Sequence, residues 1–350
     1  MKRIVILIPT IKAGGAERQA ALLAVELAKN HHTYFVSFYG HVQESMSVRK
    51  ILEQANVKII FLEGNLFSKI AALYRLLKKN KIEICFNYIT LCDVLGCFVE
   101  RFAGVKYIYN GIRNSRLAPI KLISEWLAHN FVADYTIYNS YSGARNFEKK
   151  GFKRNKTIVI PNCFPNISNP IFRDKVEKKV IITIARFQPQ KDYETAIRAI
   201  AEVKKSHDNF EYIIIGHGYY ESKIRRWLKE YMIDDCSKLF IAPPNVQEIL
   251  KSADIYLSTS LFEGTSNSIM EAMNWSIPVV ATNVGDNNQL IRNDWNGFLT
   301  DVGDYKTMAK YIVKLLDNNQ CSIEMGLHGN ELLHQYSTDI FVKNYSNLLK

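Results

Sequence analysis

Residues 255–273 read Ile-Tyr-Leu-Ser-Thr-Ser-Leu-Phe-Glu-Gly-Thr-Ser-Asn-Ser-Ile-Met-Glu-Ala-Met, the pattern of a strand, a loop and a helix. The apolar run from Ile255 to Ser258 is typical of a strand buried in a parallel sheet. Gly264 gives the loop its conformational freedom, and Ser266 or Asn267 is a suitable N-cap for the helix that follows. The stretch therefore predicts one unit of a doubly wound α/β sheet.

Two glutamates, Glu263 and Glu271, flank the predicted start of this helix. The first amides of a helix are unpaired and lie at the positive end of its dipole, so they suit a diphosphate. A carboxylate accepts hydrogen bonds from neighbouring hydroxyls, so one glutamate can hold a hexose and the other a ribose. The alternative is that Glu271 is an acid favoured by the helix dipole and that Glu263 is a solvated loop residue. The pair predicts a sugar-nucleotide site that other parts of the chain must support.

Apolar runs alternate with helical patterns on both sides of residues 161–170, a tract with three prolines. The runs before it are 4–8, 33–38, 57–62, 82–88, 106–109, 135–139 and 157–160, and those after it are 180–185, 212–215, 239–242, 255–258 and 278–282. Such alternation indicates two parallel-sheet domains, 1–168 and 169–338. Ligands bind at the carboxyl ends of such strands, so the expected site lies in a cleft between two facing domains.

The positive charge of the 350-residue chain, +11 in total, is concentrated in the first half. Residues 1–168 hold 24 Lys and Arg against 11 Asp and Glu, a net charge of +13, and the remainder holds 21 against 23, a net charge of −2. Basic side chains are concentrated in residues 69–79, 113–126 and 145–156. This asymmetry favours an anionic partner for the first domain: a phospholipid surface, a lipid-pyrophosphate acceptor or a nucleic acid.

Several protein classes lack sequence support. No apolar run approaches the roughly 20 residues that span a bilayer, so we expect a soluble or peripheral protein. The six cysteines are typical of reduced thiols in a cytosolic protein, and the spacing of Cys85, Cys92 and Cys97 matches no usual zinc pattern. The chain contains no hydrolase G-x-S-x-G, P-loop or H-E-x-x-H motif, no complete dinucleotide fingerprint and no nucleic-acid-binding motif.

Arg186 and Lys191 lie five positions apart between a predicted strand and a predicted helix. Two cations in such a loop can neutralise the two charges of a pyrophosphate and stabilise a departing nucleoside diphosphate. The chain has no Asp-x-Asp motif to hold a divalent cation, so the positive charge must come from the protein. We therefore expect a site that uses a nucleotide sugar as substrate and needs no metal and no cofactor.

Eight motifs occur in the order and spacing of a known enzyme family. They are Gly14-Gly-Ala-Glu-Arg18, Val159-Ile-Pro-Asn162, Ala185-Arg186 with Lys191-Asp192, Ile214-Ile-Gly-His-Gly218, Ser260-Leu-Phe-Glu-Gly264, Glu271-Ala-Met273, Ile277-Pro-Val-Val-Ala-Thr282 and Asn296-Gly-Phe-Leu299. With them the chain resembles the family 4 retaining glycosyltransferases of the GT-B fold. The resemblance implies two Rossmann-like domains, with the donor bound mainly by the second and a C-terminal helix (339–350) packed on the first.

The resemblance also assigns roles. Arg186 and Lys191 would bind the diphosphate, Glu263 the donor sugar and Glu271 the ribose. The predicted catalytic residues are Arg186, Lys191 and Glu263. The full predicted donor site comprises Gly15, Arg186, Lys191, Glu263, Gly264, Thr265, Ser266, Asn267, Ser268 and Glu271. The predicted acceptor side comprises Gly14, Glu17, Arg18, Asn110 and Arg113, with Asn114 as the alternative to Arg113.

The chain departs from the family pattern in two places. Many members carry a histidine in a loop of the first domain, whereas this chain has Asn110, which cannot act as a base. Asp286 follows Gly285 where the family usually has a second glycine, a change expected to alter the donor side. Retention without a protein base suggests front-side attack, in which the leaving phosphate oxygen takes the acceptor's proton.

The expected function is transfer of a hexose or N-acetylhexosamine from a UDP- or GDP-sugar to a lipid-linked glycan of a bacterial surface polysaccharide. We expect the protein in the cytoplasm, peripheral to the anionic inner leaflet through its basic first domain, and not on nucleic acid. Two alternatives remain open at this stage. One is a GT-B-type sugar-nucleotide epimerase, and the other is a non-catalytic subunit that binds a sugar nucleotide or glycan.

Overall fold

The computed structural model describes residues 1–12, 14–42, 44–113, 117–172 and 178–349. The chain divides into two compact units, one made of Met1–Cys163 with Thr338–Lys350 and the other of Phe164–Ser337. Each unit is built on one parallel sheet, as the alternation of apolar runs and helical patterns predicts. The predicted class of two doubly wound α/β domains is therefore confirmed.

In the described part of the first unit, seven strands form a parallel sheet in the order β3-β2-β1-β4-β5-β6-β7. The strands are β1 (Arg3–Ile8), β2 (His32–Ser37), β3 (Lys58–Phe61), β4 (Ile84–Asn87), β5 (Tyr107–Ile112), β6 (Tyr135–Tyr138) and β7 (Thr157–Val159). The chain winds outward from β1 in one direction and then from β4 in the other. The carboxyl edge between β1 and β4 is therefore the switch point at which such sheets bind ligands.

Helices cover both faces of this sheet. Ile4, Ile6 and Ile8 belong to one apolar cluster and Val5 and Leu7 to another, which is the period-2 pattern of a strand buried on both sides. The helices before the crossover are α1 (Gly15–Ala28), α2 (Met46–Gln54), α3 (Leu66–Lys79), α4 (Ile89–Leu91), α5 (Cys97–Ala103), α6 (Pro119–Leu127) and α7 (Tyr141–Glu148). Two π-helical segments interrupt them, Cys92–Gly96 between α4 and α5 and Ala128–Val132 after α6.

In the second unit, the described residues form a six-stranded parallel sheet in the order β10-β9-β8-β11-β12-β13. Its strands are β8 (Lys179–Ile184), β9 (Phe210–Gly216), β10 (Ser237–Ile241), β11 (Ile255–Ser258), β12 (Val279–Thr282) and β13 (Gly297–Thr300). Its helices are α8 (Tyr193–Lys204), α9 (Glu221–Glu230), α10 (Val246–Lys251), α11 (Asn267–Asn274), α12 (Asn287–Leu290), α13 (Tyr305–Asp317) and α14 (Asn319–Leu333). The order reverses between β8 and β11, so their carboxyl ends form the switch point of this sheet.

The boundary between the units precedes the predicted one at 168/169. Phe164 and Ile167 pack against the core of the second unit, and the Ser168 amide donates to Asn274 Oδ1 at 2.7 Å. The prolines of the tract prevent regular structure, but these contacts attach residues 164–168 to the second unit. The first contact-defined unit therefore ends at Cys163.

The last helix, α15 (Thr338–Ser346), belongs to the first unit. Phe341 and Tyr345 are buried in the apolar cluster that also contains residues of β1 and α1. The helix ends four residues before the predicted limit at 350. No helix among the described residues combines the length and the apolar character needed to cross a membrane.

Candidate functional site

The loops that carry the predicted donor residues meet at the switch point of the second sheet. The loop after β8 holds Arg186 and Lys191, and the loop after the neighbouring strand β11 holds Glu263. Backbone and side-chain hydrogen bonds join the two loops: the Leu261 amide donates to Gln190 O at 2.8 Å, and Gln190 Nε2 donates to Phe262 O at 2.7 Å. The strand order thus brings together residues that lie far apart in the sequence.

Lys191 and Glu263 form an ion pair in this place, Nζ to Oε1. The Ser260 hydroxyl donates to the same carboxylate oxygen at 2.7 Å. The two charged side chains are only 15% and 12% exposed, so little water screens their attraction. Replacing only one residue of such a largely buried pair is costly, because the remaining charge loses its partner. The site therefore holds one cation and one carboxylate in a defined position.

Arg186 differs from Lys191. Its side chain is exposed, and no hydrogen bond or ion pair to it is found within the described part of the chain. The preceding strand end is rigid, because the Ala185 and Phe187 amides donate to Ile215 O at 3.0 Å and His217 O at 2.7 Å. Arg186 therefore offers an exposed cation next to a hydrogen-bonded backbone.

The helix α11 begins at Asn267, as its sequence predicts, but the predicted side-chain cap is not formed. Ser266 occupies the N-cap position, and its hydroxyl lies 3.3 Å from Ser268 Oγ instead of on a first-turn amide. No side chain in the described part of the chain caps the helix, so its first amides remain available at the positive end of its dipole. This start follows directly after Glu263, Gly264 and Thr265.

A glycine fixes the loop from the other side. Gly285 has φ of +59°, and a Cβ atom there would lie 2.4 Å from Glu263 O. The next amide, that of Asp286, donates to Gly264 O at 3.1 Å. The backbone before α11 is therefore held by a contact that only glycine permits. The Asp286 side chain is buried, and the hydrogen bond to the loop of Glu263 and Gly264 comes from its backbone amide.

Glu271 lies one turn into α11, four residues after its first residue. Gln247 Nε2 approaches Glu271 Oε2 at 3.4 Å, and the glutamate side chain is half-buried. The predicted second carboxylate thus stands beyond the helix start, with Glu263 before it. Sequence reasoning missed Ser260, Gln190 and the role of Gly285. Only Ser260 carries a local signal, the Ser-x-x-Glu spacing that suits a hydroxyl-to-carboxylate contact.

The predicted acceptor residues lie at the switch point of the first sheet. Gly14 is the N-cap of α1, and the Glu17 carboxylate folds over it, so that a Cβ on Gly14 would lie 2.2 Å from Glu17 Oε2. Gly15 has open space around its Cα, and Arg18 is exposed. This helix start is thus lined by glycines, one buried carboxylate and one exposed cation.

Asn110, which is predicted to contact the acceptor, has a fully buried side chain. Asn110 Nδ2 donates to Asp93 O at 2.9 Å, and its Oδ1 accepts from Asn87 at 3.2 Å. Asn110 therefore ties β4, β5 and the π-helical segment together. Arg113 follows β5 with its guanidinium 4.5 Å from the Tyr88 ring and with Nη2 donating to the Tyr345 hydroxyl at 2.9 Å.

The Arg113 atoms Nε and Nη1 are buried and have no hydrogen-bond partner among the described residues. The predicted substrate contact of Arg113 stays a prediction. Its predicted alternative, Asn114, lies outside the described residues.

Three buried carboxyl groups at this edge were missed by sequence reasoning. Burial raises the pKa of Asp93 to about 6 and that of Glu100 to about 8, and it raises the pKa of Glu125 well above its usual range. Glu100 Oε2 accepts from Asn87 at 2.9 Å, and Asp93 Oδ1 accepts from the Gly111 amide at 2.6 Å. Nothing in the local sequence distinguishes these acids from solvated ones on a helix.

Within the described ranges, no group of three or more His, Cys, Asp or Glu side chains has the arrangement of a metal site. Cys85, Cys92 and Cys97 are buried as free thiols in an apolar cluster of the first unit.

Comparison with known proteins gives the site its context. Residues 168–330 match the sequence model of the family described as Glycosyl transferases group 1. An Escherichia coli UDP-Gal:alpha-D-GlcNAc-diphosphoundecaprenol alpha-1,3-galactosyltransferase is 24% identical over 72% of this chain and 71% of its own length.

A second relative, from Campylobacter jejuni, is a GalNAc-alpha-(1->4)-GalNAc-alpha-(1->3)-diNAcBac-PP-undecaprenol alpha-1,4-N-acetyl-D-galactosaminyltransferase. It is 21% identical over 93% of this chain and 92% of its own length. Among solved structures, HepE of Anabaena in complex with UDP superposes with a TM-score of 0.84 at 18% identity, over 99% of both chains. At that identity the structural likeness establishes the fold.

Proposed function

Since residues 168–330 of this chain match the sequence model of the glycosyl transferases group 1 family, we propose that the chain is a retaining glycosyltransferase of family 4. It transfers a hexose or N-acetylhexosamine from a UDP- or GDP-sugar to a lipid-linked glycan of a bacterial surface polysaccharide. The observation that carries the proposal is the Lys191–Glu263 pair, held beside the uncapped start of α11 at a switch point.

Each charged group of this site has a role in donor binding. The amides from Thr265 to Ser268, at the start of α11, bind the distal phosphate, where the helix dipole favours an anion. Arg186 and Lys191 neutralise the remaining charge of the diphosphate. Glu263 accepts hydrogen bonds from the sugar hydroxyls and Glu271 from the ribose.

The transfer step needs no base from the protein. The acceptor oxygen attacks the anomeric carbon on the face from which the diphosphate leaves, and its proton passes to the departing phosphate oxygen. The bond from carbon to phosphate oxygen breaks as the new glycosidic bond forms. Lys191, Arg186 and the helix amides stabilise the charge that develops on the leaving group. The metal independence of this step is part of the proposal.

The acceptor half of the proposal has two supports. Both relatives are named for sugars linked through a diphosphate to undecaprenol, a lipid carrier. The first half of this chain carries a net charge of +13, from 24 Lys and Arg against 11 Asp and Glu, which suits an anionic lipid surface. We infer a cytoplasmic protein that is peripheral to the inner leaflet, where its six cysteines stay reduced.

Thermal-shift titration with UDP, GDP and their common sugar conjugates tests the donor half. A true donor at 100 times its Kd stabilises the folded protein by about 2.7 kcal/mol, so the best conjugate names the donor class. Lys191→Ala should lose most of this shift. The matched control is Lys179→Ala, which removes a similarly buried lysine paired with Asp254 at the other end of β8. If no nucleotide shifts the melting temperature, the donor assignment fails.

Turnover with a prenyl-diphosphate glycan tests the acceptor half. We expect nucleotide release that depends on this acceptor and a product that keeps the anomeric configuration of the donor, read by NMR. Conversion of the sugar nucleotide without acceptor would instead identify an epimerase. Binding of the donor with no turnover on any glycan would support the non-catalytic subunit.

A further inference from the structure

The helix α6 and the π-helical segment after it expose an apolar row to solvent. Ile120, Ile123, Leu127 and Phe131 follow at intervals of three or four, and their exposed fractions are 84, 61, 44 and 67%. Residues at this spacing share one side of a helix. The opposite side is formed by buried residues such as Ala128. Four large apolar side chains in one exposed row mark an interaction surface rather than scattered surface residues.

A second apolar pair lies alongside this row. Phe98 and Phe102 are one turn apart on α5 and are 41% and 79% exposed. Arg101 Nη2 donates to Val132 O at 2.7 Å, which joins α5 to the end of the π-helical segment. We call the six side chains Phe98, Phe102, Ile120, Ile123, Leu127 and Phe131 the apolar face.

A strongly basic segment is attached to the same helix. Residues 149–156 contain Lys149, Lys150, Lys153, Arg154 and Lys156 and no acidic residue; we call them the basic segment. Trp126 Nε1 and Asn130 Nδ2 both donate to Gly151 O, at 2.9 and 3.1 Å. Lys153 Nζ donates to Asn130 O at 3.2 Å and lies 5.3 Å from the centre of the Phe131 ring. These contacts hold the positive charges beside the apolar face.

We propose that the apolar face inserts into the headgroup region of an anionic lipid bilayer while the basic segment binds the lipid phosphates. An amphipathic helix with aromatic and aliphatic residues on one side and lysines nearby has the chemistry of such an interface. A second copy of this chain is a poorer occupant, since a two-fold contact would bring two basic segments together. The proposed function explains why this chain would bind a membrane, because a lipid-linked acceptor lies there. The docking itself is argued from the apolar face and the basic segment.

Cosedimentation with vesicles tests the docking. We expect the full chain to bind vesicles of phosphatidylcholine with phosphatidylglycerol and to bind phosphatidylcholine alone much more weakly. Ile120→Gln with Ile123→Gln should weaken binding about 10-fold or more, since two exposed apolar side chains no longer enter the lipid. Glutamine adds no negative charge, so the loss cannot come from repulsion by the lipid.

Two further variants complete the test. Met46→Gln is the matched control: Met46 is 74% exposed in the same unit, on the helix before the opposite edge strand β3, and its change should alter binding less than about twofold. Lys149→Gln with Lys150→Gln should weaken binding only to anionic vesicles and reduce its dependence on salt. Together the variants separate the apolar contribution from the electrostatic one.

Three results would overturn the docking: no binding of the wild-type chain to anionic vesicles, wild-type binding by the Ile120/Ile123 variant, or a dimer that this variant abolishes. The UDP thermal shift, measured on the same proteins, separates this proposal from the proposed function. An unchanged shift in the variant shows an intact fold and donor site. Vesicle binding without any nucleotide binding would refute the donor site and leave the docking standing.

Discussion

The carboxyl edges of the two sheets share one topology and differ in their chemistry. In the second unit the edge between β8 and β11 holds Lys191 and Glu263, charged and within reach of solvent. In the first unit, β4 ends at Asn87, and Asp93 and Glu100 follow in the next helical segments; all three side chains are buried. An ion pair that keeps some access to solvent can exchange its partner for a charged ligand, whereas a buried network of amides and acids holds strands in place. The same position in the fold therefore presents a charged pair in one unit and a buried polar network in the other.

The largest effect should come from removing the cation of the second edge. Lys191→Ala is expected to lower turnover about 100-fold, the scale of one lost electrostatic contact to a developing charge. Steady-state kinetics with donor and acceptor measures this, and Lys179→Ala is the matched control for a buried lysine of the same unit. Near-normal transfer by the Lys191 variant would show that the charge at the second edge does not contribute to the reaction.

Gly285→Ala tests how rigidly that edge is held. The added Cβ would meet Glu263 O in a backbone with positive φ, so we expect the free energy of unfolding to fall by about 2 kcal/mol or more, with weaker UDP binding. Gly303→Ala is the control, because Gly303 also has positive φ but no atom within 4 Å of its Cβ position. Equal losses in the two variants would mean that the contact with the Glu263 loop is unimportant.

The first edge should respond to pH. The pKa of Glu100 is about 8 in the folded protein because of burial, so the folded state binds a proton that the unfolded chain releases near pH 4.5. Its stabilising contribution is complete below pH 4.5 and is lost as pH rises through 8. The melting temperature should therefore fall between pH 6 and pH 8.5, and Glu100→Gln, which mimics the protonated acid, should flatten this fall. An unchanged slope in that variant would place the titration elsewhere.

The smallest effect is expected for a single hydroxyl. Ser260→Ala removes one hydrogen bond to Glu263 Oε1 and should cost about 1 kcal/mol, or roughly a fivefold rise in KM for the donor with little change in kcat. Ser252→Ala, which removes an exposed hydroxyl bonded to Ile249 O, is the control. A large fall in kcat would instead give Ser260 a part in the chemical step.

Local patterns were sufficient for much of the second unit. The start of α11 at Asn267 follows from the polar residues before an apolar repeat, and the loops after β8 and β11 follow from the ends of apolar runs. The predicted side-chain cap on α11 is not formed, because the Ser266 hydroxyl lies against Ser268 Oγ. Propensity describes which residues suit a position, and the neighbours decide which hydrogen bond is made.

The first unit shows where such reasoning ends. Asn110 is predicted to contact the acceptor, whereas its side chain is buried against Asn87 and Asp93. The π-helical turn Cys92–Gly96 leaves no mark in the apolar periodicity. Both features depend on how α4 and α5 pack on β4 and β5. The sequence of a single strand or helix does not determine this packing.

By itself the sequence determined the two parallel sheets, the loops that end their strands and the residue types offered there, because apolar periodicity and turn residues act over a few positions. Only the tertiary structure decided that Lys191 meets Glu263, 72 residues away, and that Asn110 is withdrawn from solvent. Strand order and burial set these outcomes, and both are properties of the whole folded unit.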